Sequence, residues 1–174
     1  MRRAFVMLAI MLAGASGGCT MTKKIGQVIA DPDIQVGDLK QQASNVTVTL
    51  LTEPDSNLNG EGDPAPVDMQ LVYLTDDSKF QAADYDLMAS TPLPEALGKN
   101  YLDHQDFTLL PDTLKTLPDV KLDAKTQFIG IVAYFSDDQT SEWKQIVPVE
   151  GSGHQYRLLV HVRQNSIEMK TEDK

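Results

Sequence analysis

The sequence predicts an all-β sandwich of about eight short strands, broken by one short helical insertion. Three observations carry that prediction. From Asn45 onward, apolar and polar residues alternate with period two, the mark of strands with one buried face. One run, Phe128 to Phe135, is apolar on both faces, as a central strand covered on both sides must be. Turn residues separate these runs, which keeps each strand short.

The elements follow in order. Val46, Val48 and Leu50 alternate with Thr47 and Thr49 in a first strand. Val67, Met69, Leu71 and Tyr73 make the second, with Asp68 and Gln70 between them. Asp106 to Leu110, Val120 to Leu122, the Phe128 run and Trp143 to Val147 supply the middle strands. Tyr156, Leu158, Val160 and Val162, then Ile167 and Met169, complete the set. Between the second and third strands, Phe80, Ala83, Asp84, Leu87 and Met88 keep helical spacing. Ser78 and Gln81 form a capping box at its start, and the helix ends before Thr91-Pro92.

At 174 residues, 41% of them hydrophobic, the chain has the length of one domain and enough apolar material for a core. Its 25 Asp and Glu outweigh 15 Lys and Arg, giving a net charge of −10. That balance argues against a duty on nucleic acid or anionic lipid, which carry the same sign of charge. The single cysteine excludes an intramolecular disulfide and a multi-cysteine metal cluster.

Residues 1–18 read as a signal peptide. Arg2 and Arg3 precede the run Ala4 to Ala15, about a dozen apolar residues and too short to span a bilayer. Cys19 stands directly after the small residues Ser16-Gly17-Gly18, which resembles the bacterial lipoprotein signal, where the cysteine carries the lipid. Cleavage after Ala13-Gly14-Ala15 is the competing reading. It would leave a lone free thiol in an oxidising compartment, a liability that favours lipidation. Thr20, rather than Asp, follows the cysteine and points to outer-membrane anchoring. Residues 20–44 have little apolar periodicity and read as a polar tether, with the sandwich domain over 45–174.

Common catalytic and metal signatures are missing. No H-x-x-x-H or G-x-S-x-G occurs, and His104, His154 and His161 read as solvated polar-face residues. Asp76-Asp77 and Asp137-Asp138 read as turn residues. The connection 53–66 is different. At 14 residues it is long for a sandwich, and long loops are disproportionately functional. Asp55, Asn57, Asn59 and Gly60 match the start of a calcium loop, with Asp63 at the ninth position. Pro66 stands where the bidentate Glu belongs. A calcium- or ligand-binding module is therefore the alternative function. Leu58 stands alone among polar neighbours, as an anchor for a protein partner would.

In sequence order, Cys19, a strand, the long loop, Ala65-Pro66-Val67 with Val72-Tyr73-Leu74, and Phe80-Gln81-Ala82-Ala83-Asp84 resemble a known family. Ile129-Gly130-Ile131-Val132-Ala133-Tyr134 with Trp143-Lys144 completes the pattern. It is that of the type VI secretion outer-membrane lipoproteins, the TssJ or SciN family. Members often carry Arg soon after the Ile129–Tyr134 strand and again after the Trp. Here Ser136 and Lys144 stand there, a departure expected to touch surface detail only.

The resemblance implies a transthyretin-like sandwich without catalysis, cofactor, metal or small-molecule substrate. It implies a lipid on Cys19 holding the protein at the periplasmic face of the outer membrane. It also implies that the 53–66 loop, chiefly Asp55, Ser56, Asn57, Leu58, Asn59, Gly60 and Glu61, grips the periplasmic domain of the inner-membrane protein TssM. Hydrolysis of 5-hydroxyisourate, known for transthyretin-like enzymes, would need a C-terminal Tyr-Arg-Gly-Ser. This sequence ends Thr171-Glu172-Asp173-Lys174.

Overall fold

Alternating burial organises the molecule into two sheets in a computed structural model that describes residues 42–173. The signal peptide 1–18, Cys19 and the tether up to residue 41 lie outside the described residues. Strand β1 (Asn45–Thr52) turns Val46, Val48 and Leu50 inward, as the period-two pattern predicts. Strand β2 (Val67–Leu74) follows the long loop, then the helical insertion, then β3 (Tyr101–Leu109). Short strands β4 (Leu114–Thr116) and β5 (Val120–Lys121) precede β6 (Phe128–Tyr134), β7 (Lys144–Pro148), β8 (Gln155–Val162) and β9 (Ile167–Asp173).

One sheet runs β4-β1-β8-β9, with β5 also paired to β1, and the other runs β3-β2-β6-β7. All pairs are antiparallel except β1 with β8, which run parallel from Asn45↔Gln155 to Thr52↔Val162. Val46, Val48, Leu158 and Val160 from one sheet meet Met69, Leu71, Ile129 and Ile131 from the other in the main core. One long edge of the sandwich is stitched together. Glu142 N donates to Asn165 O at 2.9 Å, and Ile167 N donates to Glu142 O at 3.1 Å. At the opposite edge, β3 and β5 share no backbone bond among the described residues.

The all-apolar run is β6, central in its sheet and covered on both sides. Ile129 and Ile131 face the main core, while Val132 joins Val72, Leu74, Phe80, Met88, Leu93 and Leu97 in a second core under the insertion. Gly130 makes this possible, because a Cβ there would sit 2.7 Å from the Phe80 ring. The aromatic ring occupies the space that a side chain would take.

The insertion is not the one helix expected. It breaks into α1 (Ser78–Ala82), α2 (Tyr85–Ser90) and α3 (Leu93–Leu97). Asp84 causes the first break, since its extended backbone and side chain cap α2 by accepting from Leu87 N at 2.8 Å. The Ser78–Gln81 capping box does not form. Asp76 accepts from both Ser78 N and Ser78 Oγ, and Gln81 Nε2 donates to Asp77 instead. Leu87, placed on the apolar face by spacing, is exposed. Two strand readings also change. β3 starts five residues before Asp106, and β4 was not expected. Both are edge elements with little fully buried apolar surface, so their alternation is weak.

Candidate functional site

Three connections meet at one pole of the sandwich: 53–66, the β6–β7 connection and the β8–β9 turn. Their junction is Asn57, which is 3% exposed and holds φ at 53°. Asn enters this left-handed region more readily than most side chains. Asn57 N donates to Gln164 O at 2.9 Å, and Asn57 O accepts from Ala65 N at 3.1 Å. The side-chain amide donates to Pro66 O at 2.5 Å, while Asn57 Oδ1 accepts from Ser136 N at 2.7 Å. One buried residue therefore ties both ends of the loop to its two neighbours.

Beyond Asn57 the tip is a small closed hairpin. Leu58 bridges Pro64, and Asn59 N donates to Asp63 O at 2.9 Å. Asn59 Oδ1 accepts from Glu61 N at 2.9 Å and Asp63 N at 3.0 Å, an Asx-type closure of the turn. Gly62 takes φ 84°, which a side chain would oppose. Between this tip and the neighbouring connections lies an open cleft of about 590 Å³. Leu58, Gly60 and Glu61 form one wall, and Phe135, Asp137 and Asn165 form the other.

The predicted loop residues thus divide. Asp55, Asn59, Gly60 and Glu61 are exposed, and Leu58 is half-buried against the cleft rather than standing free. Ser56 and Asn57 are buried, so they position the tip rather than present a surface. The calcium reading loses its geometry. The oxygens that Asn57 and Asn59 would offer a cation are already engaged by backbone N–H groups. Among the described residues no three His, Cys, Asp or Glu side chains converge as a metal site.

The histidines are less free than solvated residues would be. His161 Nε2 lies 3.0 Å from Glu53 Oε1 at the root of the loop, and Arg163 approaches the same carboxylate at 3.9 Å. His104 meets the Tyr101 hydroxyl at 2.6 Å and Asp106 at 3.3 Å. His154 lies at the opposite pole, 2.6 Å from Asp173 Oδ2 and 3.2 Å from Glu150 Oε2. Its pKa is raised, chiefly by the hydrogen bond to Asp173 and further by Glu150.

Ser136 is exposed and enters the site only through its backbone N–H, which any residue but proline supplies, so its departure is surface detail; that of Lys144 is not. Ser136 N is the donor that holds Asn57. Lys144 Nζ donates to the carbonyls of Phe80 (3.0 Å), Gln81 (2.8 Å) and Ala83 (2.6 Å), where α1 ends and its carbonyls lack partners. It also lies 4.9 Å from the Trp143 ring, which packs edge-on to Tyr85. Partial burial pulls the Lys144 pKa down, opposed by Asp84. Sequence reasoning missed this because it depends on which carbonyls the insertion brings over β7. It likewise missed Phe135, Asp137 and Asn165, although the Asp137-Asp138 turn was visible as a turn.

The fold defines an all-β sandwich protein with a loop-built surface cleft. Residues 44–165 match the model of the type VI secretion lipoproteins, described by the names VasD, EvfM and TssJ, and the chain belongs to that family. It is a secretion-system lipoprotein of the bacterial envelope. Its fold is similar to that of the lipoprotein TssJ1 from Pseudomonas aeruginosa, with a TM-score of 0.69 and 25% identity over 75% of this chain and 97% of that one. Serratia marcescens Lip, a membrane-bound component of the type VI secretion system, gives 0.66 at 16% identity over 72% and 96%. A chain in the structure of the TssM C-terminal domain (869–1107) from EAEC gives 0.60 at 20% identity over 72% and 97%. No curated protein matches the chain in sequence. Among the described residues no helix is long and apolar enough to cross a membrane.

Proposed function

We propose that this lipoprotein is a non-catalytic adaptor of the type VI membrane complex. It is anchored in the outer membrane through lipid on Cys19 and docks the periplasmic domain of a TssM-like inner-membrane protein through the 53–66 loop. One observation carries the docking reading: a partly apolar tip, 58–64, stands on a base that Asn57 fixes from inside. A pre-organised tip loses less freedom on binding, and a small apolar anchor beside a polar rim is how hot spots are built. Family membership supports the lipid and the secretion role, and a related fold occurs in a structure described by TssM.

The two ends suit a tether. The described chain enters beside β5 and the β7–β8 connection, at the end of the sandwich opposite the loop. An anchor at one pole then leaves the other free to reach across the periplasm. Stable anchoring by lipid takes more than one acyl chain, which a bacterial lipoprotein cysteine of this type is expected to carry.

The test is binding of residues 20–174 to the periplasmic segment of the TssM-like protein from the same genome. It is run beside a variant in which 58–64 is replaced by Asn-Gly between Asn57 and Ala65. Keeping Asn57 preserves the base, so loss of binding in a variant of unchanged melting temperature establishes the site. Binding retained by the variant moves the contact off the loop. Binding by neither protein overturns the adaptor role.

A further inference from the structure

Charge is one-sided around the cleft at the loop pole. The connections 53–66, 135–143 and 163–166 together carry seven Asp or Glu and one base, Arg163. Arg163 is engaged elsewhere, by Glu168 at 3.0 Å, and it approaches Glu53 at 3.9 Å. Among the described residues, the ionisable ones that line the cleft are Glu61 and Asp137, one on each wall. Both are exposed, and no Lys, Arg or His joins them in the lining. A cleft lined by one sign of charge focuses its field on the space between the walls.

The walls are also held in place. Asp137 Oδ1 accepts from Gln139 N at 3.2 Å, and Oδ2 accepts from Thr140 Oγ1 at 2.8 Å. An ionised carboxylate has about four lone-pair sites, so acceptor capacity is left over. On the facing wall, Glu61 N is fixed by Asn59 Oδ1 at 2.9 Å. Gln164 and Asn165 add carboxamides to the lining, and Leu58 adds an apolar side. An apolar wall beside acidic ones suits a long side chain with an aliphatic stem and a cationic head. Acceptors on two walls favour a planar fork with five N–H donors over a point charge.

We propose that this cleft receives an arginine of the protein that docks at this pole, an inference that rests on the docking function proposed above. The stem packs on Leu58, and the guanidinium lies between Glu61 and Asp137. The two parts do different work: Leu58 contacts the stem and the acids hold the head, so neither replaces the other. Arginine is among the residues that dominate interface energetics when its stem is packed and its head is paired.

The experiment measures binding of the full-length protein, purified in detergent, to the periplasmic segment of the TssM-like protein at low and high salt. Glu61→Gln with Asp137→Asn removes both charges, and the amide at 137 can still accept from Gln139 N and Thr140 Oγ1. Affinity should fall by at least about tenfold and its salt dependence should flatten, at an unchanged melting temperature. Asp86→Asn with Glu95→Gln makes the same change of net charge on exposed positions of the helical insertion, and it should leave affinity unaltered. Each Arg of the partner segment is then changed to Ala in turn. One such change should cost as much as the double substitution, and combining the two should cost no more than either alone. Lys in place of that Arg should recover only part of the loss. An equal fall for the control pair, full recovery by Lys, or losses that add for every Arg overturns the arginine. Full binding by the double variant, with binding lost when 58–64 is replaced, also overturns it and leaves the docking function standing. Absence of binding by the unaltered protein overturns both.

Discussion

The two poles of the sandwich are built by opposite means. At the loop pole a side chain shares the holding with the backbone: Asn57 reaches from its buried position to Pro66 and Ser136, and the tip beyond it stays exposed. At the tether pole backbones pack directly on one another. Ser44 N donates to Gly151 O at 2.9 Å, Leu122 N donates to Ser44 O at 2.8 Å, and Gly153 N donates to Gln42 O at 2.9 Å. Gly151 lies so close to the neighbouring turn that a Cβ would stand 2.2 Å from Asp123 O. A side-chain keystone fixes a base while sparing the surface above it. Backbone contact fixes the whole pole.

That contrast is tested first by adding a methyl group where the backbones touch. Gly151→Ala has no flexible neighbour to push aside, so we expect a loss of about 3 kcal/mol, at the upper end of overpacking effects. Urea unfolding would read it. A loss below about 1 kcal/mol would mean that the tether pole yields easily and the contrast is false. Asn57→Ala should come next, at about 2 kcal/mol. It strands Ser136 N and Pro66 O and places a β-carbon in the left-handed region without the amide that compensates. Asn57→Gly relieves the backbone alone, so it should recover only part of the loss. Full recovery would show that φ, and not the side-chain bonds, fixes the loop.

Much of this was legible in the chain. Val46, Val48 and Leu50 announced β1, and the two-sided run at 128–135 announced the centre of the second sheet. Periodicity reports burial directly, so heavily buried strands were read well. It failed where burial is slight: β4 has three exposed residues, and β3 is an edge strand. It also failed at Asp84, where a local cap overrides helical spacing. The long loop stood out by length, but its division into buried Ser56 and Asn57 and an exposed tip did not. That division depends on Ser136 and Gln164, which lie 79 and 107 positions further along the chain from Asn57.

The loop pole can be examined alone by changing its tip. Leu58→Asp alters a half-buried residue above the Asn57 base and should leave the melting temperature nearly unchanged. Binding to the TssM-like segment should fall by at least about tenfold, or roughly 1.4 kcal/mol, as for an interface anchor turned to a charge beside Glu61 and Asp137. Equal loss of stability and binding would place Leu58 with Asn57 as part of the base. Unchanged binding would leave the cleft or its other wall as the contact.

The smallest effect belongs to the tether pole and depends on pH. His154 joins the β7–β8 connection to the end of β9 through Asp173 and Glu150, and its ring stacks on Tyr156 at 5.4 Å between centroids. His154 N donates to Ser44 Oγ, and its carbonyl accepts from Asn45 N, so the same residue also touches the entering chain. The hydrogen bond to Asp173, then the charges around it, raise the folded pKa above the ordinary value of about 6.5. A histidine with a raised folded pKa adds stability that is complete below the unfolded value and disappears as pH rises through the folded one. Wild type should therefore lose melting temperature from about pH 6.5 upward, and His154→Gln should not share that step. Added salt should shrink the step, because the cluster is exposed. If both proteins respond to pH alike, the histidine is a bystander and backbone packing alone secures the pole.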